Sequence, residues 1–355
     1  KKIFKWLCIP DYLAFKLTGE MKMDYSIASR TMAFDISKKM WSGKLCNKAE
    51  IDINIFPDTV QSGTLIGKVT SYSSKQTGLV IGTPVSAGGH DHICGAYAVG
   101  VVDEGKILDS MGTAETIFIS LDNLSSLNKF NASSFSTGCH VYPDKFYLLG
   151  GIYSSGATIN WIKKEFFKDI NTHQKLIDIM KKAYKGPSDI FLLPHLLGSG
   201  PPIRDPLSRA AYIGLTANTK REDLLIASIE GIFYEAKNAL SAIKKCTGIK
   251  SIDEVIIIGK MGMNKSLMEI KASILQNKIK VPKVYEAVLL GASMLAGVGS
   301  KIYKDANEAL KKVKINYNIF KPKPSYEKQY AIRYNNIYRK IYPALVELNK
   351  EINDL

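Results

Sequence analysis

An α/β fold, with a largely parallel or mixed sheet flanked by helices, is the architecture this sequence predicts. Two apolar runs, "FYLLGGI" and "DEVIIIG", have the length and composition of buried strands, and each leads towards a segment with apolar positions at helical spacing. "KILDSM" and "AETIFIS" stand on either side of Gly112–Thr113 and read as a hairpin. Strands that alternate with helices in this way pack as a sheet with helical layers.

Taken in order, residues 3–18 carry apolar positions at helical spacing and stop at Gly19, a good terminator. "SIASRTMAFD" leads through Trp41 into another short helical pattern. "TLIGKVT" and "TPVSAGG" read as strands, with "SSKQTGL" between them as a short helix or turn. "HICGAYAVGV" is rich in small residues, so it reads as a helix packed close to its neighbours. After the hairpin, "SSGATINWIKKEF" is a helix entered through Ser and Gly, and residues 189–206 form a Pro/Gly loop. "TKREDLLIASIEGIFYEAKNALSAIKKC" is the clearest helix, with Thr219 and Glu222 as a capping box and Gly248 just past its end. "NKSLMEIKASILQNK" and "EAVLLGASMLAGVG" are helices around the short strand "IKV". The last helix carries Tyr326, Tyr330, Tyr334, Tyr338 and Tyr342, one tyrosine every four residues. Such a ridge shares one face and is expected to dock onto its domain rather than to stack on nucleic-acid bases.

Composition narrows the function classes. The chain has 355 residues, 46% of them hydrophobic, enough for two cores. No run approaches the roughly 20 apolar residues that span a bilayer, and the opening residues do not read as a signal segment. Five scattered cysteines without CxxC pairs suit a reduced, cytoplasmic protein. The formal charge is +15, but 42 of the 48 basic residues are Lys, spread along the whole length. A nucleic-acid binder would cluster them and use Arg for bidentate contacts, so a lysine-rich solvated surface is expected, with no nucleic acid and no membrane as partner.

The densest chemistry is "AGGHDHICGA", residues 87–96. Read as a metal centre it needs three or four converging ligands. On a strand His90 and His92 would share a face without Asp91, and on a helix all three would fan apart. No metal ligand set is therefore expected here, and Cys94 reads as a small core residue. Asp91 itself has two readings that the residues leave balanced: a carboxylate projecting at a strand end as a general base, or a helix N-cap.

Seven segments in order resemble the FGGY family of carbohydrate kinases. The resemblance begins with "DYLAFKLTGE" and "DYSIASRTMAFDI" and continues through "GTPVSAGGHDHICGAYAVGVV", "SMGTAETIF" and "GATINWI". It ends with "IIIGKMGMNKSLMEIKASILQNKIKV" and "EAVLLGASMLAGVG". It implies an actin-like, ribonuclease-H-like ATPase fold, with residues 1–101 as the C-terminal part of the sugar-side domain and 102–355 as the nucleotide-side domain. The family's Asp-x-Gly-Thr phosphate hairpin has no match here. Since the chain opens without Met and inside a helical pattern, that hairpin is expected upstream, and this chain alone is expected to be incomplete as an enzyme.

The resemblance also implies roles. Asp91 matches the base that takes the substrate hydroxyl proton, and His92 the neighbour that helps to hold substrate hydroxyls. Gly112 and Thr113 match the second phosphate loop, and Gly156 and Asn160 match positions near the nucleotide phosphates and ribose. Gly259 and Asn264 match the adenine-side motif, with Lys260 and Met261 standing where glycines are usual and Ser273 where Asp is frequent. ATP and Mg²⁺ are the implied cofactors, and the usual Mg²⁺ aspartate lies in the unmatched front. A sugar or polyol is the implied partner, and a homodimer the self-assembly considered. The implied reaction is ATP-dependent phosphorylation of a sugar hydroxyl, xylulokinase-like. "DYSIASRTMAFDI" leaves a glycerol or polyol kinase as an alternative, and a non-catalytic nucleotide- or sugar-binding module as another.

Overall fold

The computed structural model describes residues 3–125, 127 and 134–355. Its main sheet contains β1 (Lys106–Met111), β2 (Glu115–Leu121), β3 (Ser136–Cys139), β4 (Phe146–Ile152), β5 (Glu254–Ile258), β6 (Ile279–Pro282) and β7 (Tyr317–Phe320). The helices that bear on the site are α1 (Asp91–Ala98), α2 (Gly156–Phe166), α3 (Arg221–Thr247), α4 (Lys265–Leu275), α5 (Ala287–Gly299) and α6 (Pro324–Arg333). The strand order is β7-β6-β5-β1-β2-β4-β3. β5 runs parallel to β1 and β6, and every other neighbouring pair is antiparallel. The sheet is mixed, as the alternation of strands and helices predicts.

Both faces of this sheet are buried, because successive side chains point to opposite sides. Ile107, Ile117, Ile119, Val255 and Ile257 join one core with α3 and α4. Leu108, Phe118 and Ile256 join the other with Ile93 and Tyr97 of α1 and Met294 and Leu295 of α5. The small residues of α1 and α5 let the two helices touch backbone to backbone. A β-carbon on Gly291 would stand only 2.0 Å from the Cys94 carbonyl oxygen. Ahead of the sheet lie smaller pieces: a helix at Ile9–Thr18, the parallel pair Lys22–Asp24 with Asp58–Val60, and the antiparallel pair Leu65–Lys68 with Pro84–Ser86.

Several local expectations change. The first helix begins at Ile9, not at residue 3. Pro10 lacks an N–H and its ring disfavours helix on its N-terminal side, so it serves in the first turn instead. Asp11 then accepts the Cys8 N–H at 2.9 Å and caps that start. The box expected from Thr219 and Glu222 does not form. Lys220 precedes α3 and Asp223 accepts its N–H at 2.9 Å, while Thr219 Oγ1 is occupied by the Thr216 N–H. The loop at 189–206 contains a short strand, Phe191–Leu193, paired with Ala211–Ile213.

The tyrosine ridge docks on α3. Tyr330, Tyr334 and Tyr338 are buried around Tyr234, with ring centroids 6.2, 6.0 and 4.6 Å away. Tyr330 donates to Glu230 at 2.7 Å and Tyr338 to Glu235 at 2.9 Å. The helix is not a uniform α-helix: Tyr334–Tyr338 form a π segment. A residue every four drifts around an α-helix of about 3.6 residues per turn, and one wider turn corrects the drift.

Candidate active site

The strand at Pro84–Ser86 ends in Ala87, Gly88 and Gly89, and the chain turns at His90 into α1. Ser26, from the segment "DYSIAS", seats this bend: its Oγ accepts the His90 N–H at 2.8 Å. Gly89 is required there, because a β-carbon would stand 2.3 Å from Val141 Cγ1 and 3.0 Å from Ser26 Oγ. Ser26 is held in turn by the buried Asp24, which accepts the Ser26 N–H at 2.8 Å and the Ser62 hydroxyl at 2.7 Å.

Asp91 is the first residue of α1, and His90 is the N-cap residue before it. The Asp91 side chain is exposed, while His90 and His92 flank it. Each imidazole Nδ1 stands 2.9 Å from Asp91 Oδ1; that of His92 has hydrogen-bond geometry, while that of His90 makes a close contact without it. These two contacts, that of His90 first, hold the Asp91 carboxyl well below the usual carboxylate range. The expectation that geometry separates the three side chains does not hold. Their ligand atoms all lie within 4.8 Å of one another. Asp91 sits at the change from extended backbone to helix, where neither the strand alternation nor the helical fan applies. The stretch can therefore gather around a proton or a cation, and His90 joins Asp91 and His92 as a residue of the site.

Gly112 and Thr113 form the tip of the β1–β2 hairpin, with the Gly112 N–H donating to the Ala114 carbonyl at 2.9 Å. The start of α2 is seated on this tip: Gly156 N–H donates to the Gly112 carbonyl at 3.1 Å and Ala157 N–H to the Thr113 carbonyl at 2.9 Å. A β-carbon on Gly156 would lie 2.5 Å from the Gly112 oxygen. On the other side Gly259, with φ +100°, follows β5, and a β-carbon there would lie 2.2 Å from the Met111 carbonyl oxygen. Gly112, Thr113, Gly156 and Gly259 are thus brought together around one turn. Such glycine-lined backbone lets a phosphate approach amide N–H groups closely.

The remaining positions lie further out. Asn160 is one turn along α2, exposed, with Oδ1 2.8 Å from His173 Nε2. Lys260 opens a short 3₁₀ turn and, with Gly259, Met263, Pro282 and Tyr285, lines a cavity of about 150 Å³. Asn264 caps α4, its Oδ1 accepting the Leu267 N–H at 3.2 Å, so its side-chain oxygen is already engaged. Ser273, at the position where the family often has Asp, is buried and donates to the Glu269 carbonyl at 2.8 Å. One packing contact links the Asp91 helix to the glycine turn. Gly95, one turn beyond Asp91, faces Ile258, the last residue of β5, whose Cδ1 would be 3.4 Å from a β-carbon at Gly95.

Sequence reasoning missed the polar layer beneath the turn: Asp109, Glu115, Ser155 and Lys271 are all fully buried there. A signal for Lys271 was present. It occupies an apolar position in the helical stripe of Leu267, Met268, Ile274 and Leu275.

Two family profiles match successive parts of the chain. The profile of the FGGY family of carbohydrate kinases, C-terminal domain, matches residues 109–300, and that of the N-terminal domain matches residues 1–98. A xylulose kinase of Staphylococcus xylosus is 30% identical over 96% of this chain and 69% of its own length. A glycerol kinase of Thermococcus kodakarensis is 29% identical over 89% of this chain and 61% of its own length. The crystal structure of a ligand-bound xylulose kinase from Lactobacillus acidophilus superposes with a TM-score of 0.88, at 22% identity, covering 98% of this chain and 69% of that one. The fold is accordingly the actin-like, ribonuclease-H-like ATPase fold.

Proposed function

We propose, from the premise that this chain belongs to the FGGY family of carbohydrate kinases, that Asp91 is the base of its ATP-dependent sugar phosphorylation. The observation that carries this is the carboxylate at the start of α1, held between two imidazoles on a helix packed against the strand that delivers Gly259. In the reaction a substrate hydroxyl oxygen bonds to the γ-phosphorus, the bond to the β-phosphate oxygen breaks, ADP leaves, and the hydroxyl proton passes to Asp91. The lowered pKa of Asp91 keeps it ionised, the state a base must be in before the proton arrives. His92 orients the carboxylate and meets the substrate hydroxyls. The Thr113 amide and hydroxyl receive the phosphates on a turn that Gly112 and Gly156 keep narrow, and Gly259, Lys260, Asn264 and Asn160 flank the nucleoside.

Mg²⁺ enters with ATP as part of the substrate. The one three-residue group of metal-binding side chains among the described residues, His90–Asp91–His92, offers a single oxygen donor. Mg²⁺ prefers an all-oxygen octahedron, so its ligands are phosphate oxygens and water in the first place. We place the division between the two domains near residue 102, after α1 and before β1, and the enzyme in the cytoplasm.

As acceptor we take a ketopentose of the xylulose type. The match to a xylulose kinase extends over more of this chain than the match to a glycerol kinase, 96% against 89%. The test is a panel of ketoses, aldoses and polyols with Mg-ATP and the protein at its full native length. Xylulose is expected to give the highest kcat/KM. A preference for glycerol would overturn the acceptor assignment while leaving the kinase reading intact.

A further inference from the structure

Lys271 on α4 has no solvent exposure, yet its Nζ stands 2.8 Å from Glu115 Oε1 and 2.5 Å from Asp109 Oδ2. Asp109 is on β1 and Glu115 on β2, one on each side of the Gly112–Thr113 tip, and both are fully buried. The other oxygen of Glu115 accepts the hydroxyl of Ser155 at 2.8 Å, the residue directly before Gly156. Phe233 of α3 closes the group, its ring centroid 5.3 Å from the ammonium. One lysine thus joins three segments: the hairpin, the start of α2, and the helix that follows the Gly259 turn.

Burial, and then the nearby Glu115 charge, push the Asp109 carboxyl above the usual carboxylate range. The buried Lys271 ammonium thus pairs with Glu115 beside an acid that holds its proton more tightly than usual. A buried pair of this kind adds little net stability over apolar side chains of similar volume. Apolar side chains at 109, 115 and 271 together would fill the same space with no buried charge to satisfy. Stability alone does not account for the lysine. Its distinguishing consequence is geometric, because it fixes the backbone that flanks the phosphate-binding turn.

We propose that Lys271 is a positioning residue for nucleotide binding, acting through Glu115 and Ser155 to hold Gly112–Thr113 and Gly156 in one arrangement. This rests on the reading of those residues as nucleotide contacts. The test uses the protein at full native length and two variants, Lys271→Met and Lys271→Met combined with Glu115→Gln. ADP binding is measured by calorimetry, KM for ATP and for the sugar by assay, and the unfolding midpoint by thermal melt. Lys271→Met is expected to weaken ADP and raise KM for ATP roughly tenfold, with KM for the sugar unchanged within about twofold. The double variant removes the orphaned charge and keeps an acceptor for Ser155, so it is expected to regain the melting midpoint while ADP binding stays weak. A double variant with wild-type ADP affinity would overturn the proposal, as would unaltered ADP binding in Lys271→Met. Failure of the wild-type protein to bind ADP would instead overturn the nucleotide reading itself.

Discussion

The Gly156 amide donates to the Gly112 carbonyl across 3.1 Å, and a β-carbon on Gly156 would stand 2.5 Å from that same oxygen. The start of α2 and the tip of the hairpin are therefore one unit, in which a single methyl group forces a movement. Gly156→Ala should raise KM for ATP by about an order of magnitude, since small misplacements of binding groups cost this much or more. KM for the sugar should stay near its wild-type value. Steady-state kinetics with each substrate varied in turn decides the matter, and an equal rise in both constants would count against the nucleotide role.

His90 and His92 set the proton affinity of Asp91 from two sides. Because they lower it, their loss must raise it towards the usual carboxylate range. A base works only when ionised, so raising its pKa removes activity from the acid side first. In His90→Ala the acid limb of the kcat/KM profile should move to higher pH. A limb that stays in place in both His90→Ala and His92→Ala would show that these contacts do not tune the base.

Glu230 on α3 is buried and accepts hydrogen bonds from Tyr330 and the Ser188 amide. Burial is the larger influence and raises it from 4.5 to about 8. A group whose folded value is raised contributes stability that is complete below its unfolded pKa and is lost as pH rises through the folded one. The stability difference between wild type and Glu230→Gln should therefore shift against wild type between about pH 5 and about pH 8. Urea unfolding at a series of pH values tests this, and parallel curves for the two proteins would contradict it.

Tyr338 has its ring 4.6 Å from Tyr234 and its hydroxyl on the Gly231 carbonyl and Glu235. Tyr338→Ala should cost about 3–5 kcal/mol, as for other large-to-small changes of buried aromatics. A loss below about 1 kcal/mol in urea unfolding would mean that the ridge is not a packing surface.

The elements that periodicity and turn chemistry specify were legible: the β1–β2 hairpin from Gly112–Thr113, the end of α3 from Gly248, the mixed sheet from "DEVIIIG" and its neighbours. The resemblance pointed to Gly156 and Gly259, and their placement against Gly112 and Met111 shows why no other residue fits there. The convergence of His90 and His92 on Asp91 was not legible, because it depends on a bend between two regular conformations. Regular strand or helix spacing predicts the opposite. The start of α3 was misread because Thr219 and Asp223 both suit a cap, and only the Thr216 amide decides which one is free. The Lys271 group was hidden for a different reason: its acids lie 156 or more positions earlier in sequence, and only the parallel pairing of β1 with β5 brings them near.

The central claim is that Asp91 accepts the substrate proton, and Asp91→Asn tests it most directly. This variant keeps the shape and removes the base. In the protein at full native length, kcat should fall by roughly 10²–10⁴ while ADP binding, measured by calorimetry, remains as in wild type. Turnover within about tenfold of wild type would contradict the account.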